Sequence, residues 1–166
     1  VGRRYGRIAV LVDALDDHAR DRRRGSFNVL AAGQVIVCDG AMGTQLQARG
    51  LKAGAMPELW NAEHAEVVTA IHADYVRAGA RIVTANTFGG NRFRLAGAGL
   101  TDRLIELNRK GVEIARAAAD GRAWVAGDIG PTGQLLEPYG DLSVAAAEDA
   151  YREQVTALAE AGVDLI

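Results

Sequence analysis

The chain has 166 residues, of which 49% are hydrophobic and 24% are charged, which predicts a packed core and excludes a disordered chain. The net charge of −2 provides no electrostatic basis for binding nucleic acid or an anionic membrane. The single cysteine, Cys38, excludes an internal disulfide and predicts a cytoplasmic protein, and no apolar run approaches the about 20 residues that a membrane-spanning helix needs.

Residues 1–33 are interpreted as an N-terminal extension. Within it, residues 16–24 (DDHARDRRR) mix acidic and basic side chains, which is typical of a solvated segment. An RNA-binding patch is disfavoured, because three aspartates interrupt the arginines and no aromatic platform accompanies them. Ser26 and Gly33 predict the cap and the end of a short helix before the first strand. The chain begins with Val1, and we interpret it as a fragment.

Four short, nearly continuous apolar runs follow, as is typical of buried parallel strands. They are residues 34–38 (QVIVC), 81–84 (RIVT), 123–126 (AWVA) and 163–166 (VDLI).

Helical periodicity fills the intervals between these runs. Residues 62–78 predict a helix that Asn61 caps and Gly79 ends. Residues 102–119 and 144–161 predict two more helices, the second with Ser143 as its cap. The buried stripe of residues 102–119 is predicted to contain Leu104, Ile105, Val112 and Ala115. Alternation of strands and helices predicts right-handed βαβ units and a parallel sheet.

The long connections all follow strands, whereas the links after helices are short. In parallel α/β folds, the carboxyl ends of the strands carry the ligand site, whether the sheet closes into a barrel or stays open. Chemistry is therefore expected in residues 39–61, 85–100 and 127–142.

The first of these segments opens with DGAMGT. Two glycines leave backbone N–H groups open to a ligand, so the amides of Gly40 and Ala41 are candidates for binding an amino-acid carboxylate. The side chain or carbonyl of Asp39 is a candidate for meeting an ammonium group. The alternative is a strand-end turn in which Asp39 is already hydrogen-bonded.

The other two segments contain further candidates. Asn86 and Thr87 are predicted to line a pocket that Phe88 walls, although Asn and Thr are equally suited to capping the next helical turn. In the Gly-Pro-containing stretch GDIGPTG, Asp128 is either a pocket acid or a turn former.

Several other polar residues are assigned structural roles. His64 and His72 are not spaced as an i, i+4 metal pair, and His72 is predicted to be structural. Asn108 and Gln154 are predicted to hydrogen-bond neighbouring backbone. Cys38 is predicted to be inert core.

Together the three loops resemble the homocysteine S-methyltransferase (homocysteine-binding) domain family, which includes the N-terminal module of cobalamin-dependent methionine synthase. The resemblance covers residues 34–166 and is carried by VIVCDGAMGTQLQ, PELWN, ARIVTANTFGGNRFRL, GDIGPTGQLLEPYGDLS and YREQVTALAEAGVDLI, in family order.

The resemblance implies a (β/α)8 barrel in which zinc, held by three cysteines on later strands, activates the thiol of homocysteine for methylation to methionine. It implies that Asp39, Gly40 and Ala41 receive the amino-acid end of homocysteine. None of the implied zinc ligands lies in this chain, and Cys38 is not at a ligand position. The methyl donor stays open among methylcobalamin, methyltetrahydrofolate, betaine and S-methylmethionine.

The expected fold is thus the N-terminal half of a (β/α)8 barrel, within which residues 34–166 form a partial methyltransferase domain. Four strands cannot close such a barrel, so the isolated chain is expected to be inactive and either marginally stable or self-associating through its open edge. Two alternatives stay open: a non-catalytic remnant, and an unrelated (β/α) barrel lyase or isomerase.

Overall fold

The computed structural model describes residues 35–166. The predicted extension, with its short helix between Ser26 and Gly33, lies outside the described residues. The described elements are, in chain order, α1 Met42–Ala48, α2 Trp60–Glu63, α3 Ala65–Arg77, β1 Ile82–Thr84, α4 Arg92–Ala96, α5 Leu104–Ala119, β2 Trp124–Ala126 and α6 Val144–Glu160. Two 3-10 turns, Pro57–Leu59 and Thr101–Arg103, lead into α2 and α5.

A parallel sheet is the centre of the fold. Strands β1 and β2 pair in parallel with Val83 opposite Val125. An isolated parallel bridge joins Cys38 to Ile82 on one side, and another joins Ala126 to Leu165 on the other. Four consecutive chain segments therefore lie side by side in sequence order, as predicted from the four apolar runs.

Helices α3, α5 and α6 pack in series beside this sheet. The core between sheet and helices consists of small and branched side chains, which allow the layers to approach closely. Its buried members are Val76, Ala80, Val83, Ala85, Val112, Ala115, Ala119, Ala123, Val125 and Leu158.

The predicted burial of the first strand is wrong. Val35 and Val37 are 95% and 56% exposed, and Cys38 is an exposed free cysteine. The segment pairs with β1 through its backbone, since Arg81 N–H donates to the Val37 carbonyl (2.8 Å). It lies at the edge of the described sheet, so its side chains stay open to solvent.

The prediction that Asn61 caps one long helix is also wrong. The chain breaks at His64, between α2 and α3, and Asn61 is buried inside α2. At the other end of α3, Gly79 adopts φ +105°, a conformation that favours glycine and ends the helix as predicted.

The other two long helices follow the predictions more closely. Ser143 caps α6, its Oγ accepting a hydrogen bond from the Ala146 N–H at 3.1 Å. In α5, Leu104, Val112 and Ala115 are buried as predicted, but Ile105 is 52% exposed. At about 100° per residue, Ile105 falls at the margin of the buried stripe.

Candidate functional site

A cavity of about 400 Å³ opens where the parallel segments end. Asp39 follows the first segment, Ala85 follows β1, and Asp128 lies two residues beyond β2. The carboxyl ends of parallel strands share one edge of a sheet, so the loops that follow them converge. The cavity is lined by Asp39, Gly40, Ala41, Met42, Gly43, Pro57, Glu58, Thr84, Ala85, Asn86, Thr87, Phe88, Gly89, Arg94 and Asp128.

All seven candidate site residues line this one cavity. The three loops singled out in the sequence are therefore brought together. Several of these side chains also form hydrogen bonds to other groups of the protein. Those bonds determine what each residue contributes to the cavity.

Asp39 is held by the end of β1. Its Oδ2 accepts a hydrogen bond from the Thr84 N–H at 2.8 Å, and its Oδ1 accepts one from the Thr84 hydroxyl at 2.9 Å. Both carboxylate oxygens thus already have a partner, which matches the structural alternative considered for this residue. Asp39 joins the first loop to β1 and still lines the cavity.

Asn86 belongs to a buried amide network beneath the cavity. Its Nδ2 donates to the Pro57 carbonyl (2.8 Å) and to Asn61 Oδ1 (2.9 Å). Asn61 in turn donates to the carbonyls of Asn86 (2.8 Å) and Leu107 (3.1 Å). These bonds fix the loop after β1 against α2 and α5, so Asn86 supports the cavity wall.

Thr87 links the loops that follow β1 and β2. Its hydroxyl donates to the Asp128 carbonyl (2.9 Å) and accepts from the Asp128 N–H (3.0 Å). Gln154 in α6 donates to the Thr87 carbonyl at 2.7 Å, and Asn108 in α5 donates to the Gly90 carbonyl at 2.9 Å. The predicted structural roles of Gln154 and Asn108 are confirmed.

Phe88 is the aromatic wall of the cavity and is 51% exposed. The loop that follows β2 passes directly against it, because a Cβ on Gly130 would lie 2.6 Å from the Phe88 carbonyl oxygen. The Gly130 N–H donates to that carbonyl at 2.8 Å. Glycine at position 130 therefore allows the two loops to meet and fixes the position of Phe88.

Glu58 is a cavity residue that the sequence analysis missed. It is only 2% exposed, and its Oε1 accepts a hydrogen bond from the Gly89 N–H at 2.6 Å. Its Oε2 is buried and has no hydrogen-bond partner among the described residues. The available signal was an acidic residue between apolar ones in PELWN, inside a segment already expected to carry chemistry.

Arg94 is the second residue missed. It lies in α4, is exposed and lines the cavity. Within residues 35–166 its guanidinium forms no ion pair, although that of Arg92, in the same helix, pairs with Glu153. Arg92 and Arg94 lie two residues apart on the same short helix, and no sequence pattern indicates which of them faces the cavity.

Burial raises the pKa values of all three cavity carboxyl groups. Burial is the largest cause for Asp39, opposed by the hydrogen bonds from Thr84. Burial likewise raises the pKa of Glu58, with a further increase from the charge of Asp128 and a decrease from Arg94. The Asp128 pKa is raised by burial and by the charge of Asp39. A cationic group entering the cavity would relieve these unfavourable charges.

Two kinds of feature are not found in the described part of the chain. No cluster of three or more His, Cys, Asp or Glu side chains in residues 35–166 is arranged to hold a metal ion. Every helix in the same range is too short or too polar to traverse a lipid bilayer.

Parallel strands, flanking helices and a cavity at the carboxyl ends of the strands define an α/β protein of the kind that binds ligands at that edge. The family model for homocysteine S-methyltransferase matches residues 36–166. The chain belongs to the homocysteine S-methyltransferase family.

Curated relatives agree with this assignment. The chain is 38% identical to methionine synthase from Mycobacterium tuberculosis over 147 residues, which cover 80% of the chain and 12% of that protein. It is 35% identical to homocysteine S-methyltransferase from Escherichia coli over 152 residues, 80% of the chain and 48% of that protein. The chain thus spans about half of the length of the Escherichia coli relative and far less of methionine synthase.

A solved structure has a similar fold. The metallated form of the homocysteine methyltransferase MmuM from Escherichia coli aligns with a TM-score of 0.69 at 32% identity, over 84% of this chain and 55% of MmuM. The family match and this similarity exclude the alternative of an unrelated barrel lyase or isomerase.

Proposed function

We propose that the protein containing this chain transfers a methyl group to the sulfur of homocysteine, which forms methionine. The observation that carries the proposal is the convergence of three loops on one acidic cavity in a chain of this family. A cavity lined by three carboxyl groups, with an arginine among its exposed residues, suits a zwitterionic amino acid. The methyl donor would approach from the open side of the cavity.

We further propose that residues 34–166 form the N-terminal half of a (β/α)8 barrel. The support is the parallel order of four segments around β1 and β2 and the similarity to about half of MmuM. In a complete barrel, a further strand would pair with the backbone edge of residues 35–38 that β1 leaves open. The active site of that barrel would lie at the edge that carries this cavity.

Within the cavity, the first loop is proposed to bind the amino-acid end of homocysteine. The N–H groups of Gly40 and Ala41 donate no hydrogen bond within residues 35–166, and both residues line the cavity. Two free amides suit a carboxylate. Asn86, Thr87, Phe88 and Asp128 complete this end, with Phe88 as an apolar wall beside the aliphatic carbons.

Zinc is the metal that the family resemblance implies for thiol activation. The described residues do not form a site for it: they include no suitable cluster, and the only cysteine of the chain, Cys38, is exposed. When bound in the parent protein, zinc would favour the thiolate form of homocysteine. The residues of this chain are proposed to orient the substrate, not to activate its sulfur.

The test is methionine formation by the full-length protein. The protein is incubated with homocysteine and, separately, methylcobalamin, methyltetrahydrofolate, betaine or S-methylmethionine, and methionine is quantified by mass spectrometry. We expect methionine with at least one donor and none without homocysteine. A folded full-length protein that forms no methionine with any of the four would contradict the proposal and favour a non-catalytic remnant.

A further inference from the structure

Tyr75, in α3, contacts the first loop of the cavity and is not itself among the residues that line the cavity. Its hydroxyl donates a hydrogen bond to the Ala41 carbonyl at 3.0 Å. Its ring lies against Gly40, since a Cβ at that position would be 3.0 Å from the Tyr75 Oη and 3.1 Å from its Cε1. One side chain therefore contacts both residues whose amides are proposed to receive a carboxylate.

The ring of Tyr75 is fixed independently of this loop. It packs against two hydrophobic clusters at once. The first cluster includes Val83 and Val125 of the sheet, and the second includes Leu46 of α1 and Ile71 of α3. Packing in the core already restricts the side chain, so little further entropy is lost when the hydroxyl bonds the loop. Tyr75 thus presents a positioned donor to the first loop.

The two loop residues lie between anchored ends and have no other side-chain support. On one side Asp39 is bonded to Thr84, and on the other Leu46 is fully buried. Within residues 35–166, the Tyr75 hydroxyl is the only side-chain group that hydrogen-bonds the backbone of residues 40 and 41. Glycine restricts its own backbone less than any other residue does. The orientation of these two peptide units therefore depends on the contact with Tyr75.

The amides of this loop remain accessible to a ligand. Gly40 and Ala41 are exposed and line the cavity, and neither N–H donates a hydrogen bond within residues 35–166. Tyr75 engages the Ala41 carbonyl, an acceptor that would otherwise be free to repel an approaching carboxylate. The contact thus favours an anionic group at the two amides.

We infer that Tyr75 is a positioning residue that determines the preference of this protein for a thiol that bears a carboxylate. It acts through the backbone of Gly40 and Ala41 and does not touch the substrate. This inference rests on the proposed function, since it takes homocysteine as the ligand and the two amides as the site of its carboxylate.

The test compares two ligands that differ only in the carboxylate. Homocysteine and 3-mercaptopropylamine, which has the same thiol and amino group, are titrated into the full-length protein under reducing conditions, and the ratio of their dissociation constants is measured. Tyr75→Phe removes the hydroxyl and keeps the ring. We expect the preference for homocysteine to fall about fivefold, the effect of one hydrogen bond of about 1 kcal/mol. The affinity for 3-mercaptopropylamine should stay within about twofold of wild type, because this ligand does not use the amides.

Tyr151→Phe is the matched control. Tyr151 is a half-buried tyrosine of α6, and its hydroxyl forms no hydrogen bond in the described part of the chain. This variant should keep the ratio within about twofold of wild type. An unchanged preference in Tyr75→Phe, an equal loss of affinity for both ligands, or the same fall in Tyr151→Phe would overturn the inference. An equal loss for both ligands is what a merely structural role of Tyr75 predicts.

Failure of the proposed function gives a different result. If the wild-type protein binds neither ligand, the proposed function fails together with the inference. If it binds both equally, the proposed carboxylate site fails, and the inference fails with it. A wild-type preference that Tyr75→Phe leaves unchanged overturns only the inference. Should Tyr75→Phe not fold, Tyr75→Met also lacks the hydroxyl; the same fall in the ratio is then expected, and an unchanged ratio would contradict the inference.

Discussion

The Asp39 carboxylate accepts two hydrogen bonds from Thr84: Oδ2 lies 2.8 Å from the Thr84 backbone nitrogen, and Oδ1 lies 2.9 Å from the Thr84 hydroxyl. The first loop of the cavity is thereby attached to the last residue of β1. Parallel strand ends otherwise leave backbone groups unpaired, and here the side chain of one loop satisfies the end of the neighbouring strand. The cavity thus derives its shape from bonds between its own loops.

Removing the Thr84 hydroxyl tests this attachment. Thr84→Val keeps the shape of the side chain and the backbone bond but removes the donor to a partly buried carboxylate. We expect a loss of about 1 to 3 kcal/mol in the free energy of unfolding, the range for hydrogen bonds to charged groups. The Asp39 pKa should rise further, because the Thr84 hydroxyl lowers it. Chemical denaturation and NMR titration measure the two effects.

Thr69→Val is the matched control for that substitution. The Thr69 hydroxyl donates only to the Ala65 carbonyl within α3 and contacts no carboxylate. We expect its effect to stay within about 0.5 kcal/mol. Equal losses in the two variants would show that the bond to Asp39 contributes nothing specific.

The buried amide pair beneath the cavity gives a second prediction. Asn61→Ala removes the donor to the carbonyls of Asn86 and Leu107 and leaves Asn86 Nδ2 with one acceptor fewer. Because the groups left behind are buried, we expect a loss of about 2 to 4 kcal/mol, from two or more hydrogen bonds at about 1 to 2 kcal/mol each. Gln47→Ala, an exposed amide in α1, is expected to change stability by less than about 0.5 kcal/mol. A small loss in Asn61→Ala would contradict this reading of the network.

Sequence patterns predicted the order of the four parallel segments and the three long helices, because local periodicity determines them, whereas the short helices α1 and α4 were not predicted. All seven predicted candidate residues line the cavity, because strand ends converge in any parallel α/β fold. The burial of residues 35 and 37 was predicted wrongly, since an apolar run does not reveal whether another layer of the fold packs against its side chains. Asn61 was misread as a cap because nothing local distinguishes an exposed cap from a buried amide that bonds distant carbonyls. Glu58 was missed for the same reason: its partner, Gly89, is remote in sequence.

His72 makes stability depend on pH. It is fully buried, neither ring nitrogen has a partner in the described structure, and burial lowers its pKa from 6.5 to about 4. Between these values the unfolded chain binds the proton and the folded chain does not, so stability is lost as pH falls below about 6.5. The loss levels off near pH 4 at about 3 kcal/mol, since each pKa unit corresponds to about 1.4 kcal/mol.

The measurement is urea denaturation at pH 7.5 and 4.5 for wild type, His72→Leu and His64→Leu. Carboxyl groups also titrate in this range, so the difference between proteins is the informative quantity. The His72→Leu variant should lose about 2 to 3 kcal/mol less than wild type on acidification. His64 is exposed and serves as the control: His64→Leu should lose as much stability on acidification as wild type. Identical pH dependence in all three would refute the assignment to His72.

The isolated 166-residue chain is predicted to self-associate. Val35, Val37 and Ile166 are all more than half exposed and lie on the outermost parallel segments of the described sheet. Open edges of this kind pair with other chains. Sedimentation velocity should show oligomers or a broad distribution at micromolar concentration. A monodisperse monomer with a cooperative, high-temperature melt would contradict the prediction.

The most direct measurement is a crystal structure of the full-length protein with homocysteine. The amino-acid end should occupy the cavity between Asp39 and Asp128, with its carboxylate about 3 Å from the amide nitrogens of Gly40 and Ala41. Homocysteine bound elsewhere, with this cavity holding only solvent, would contradict the assignment of the cavity as the amino-acid site.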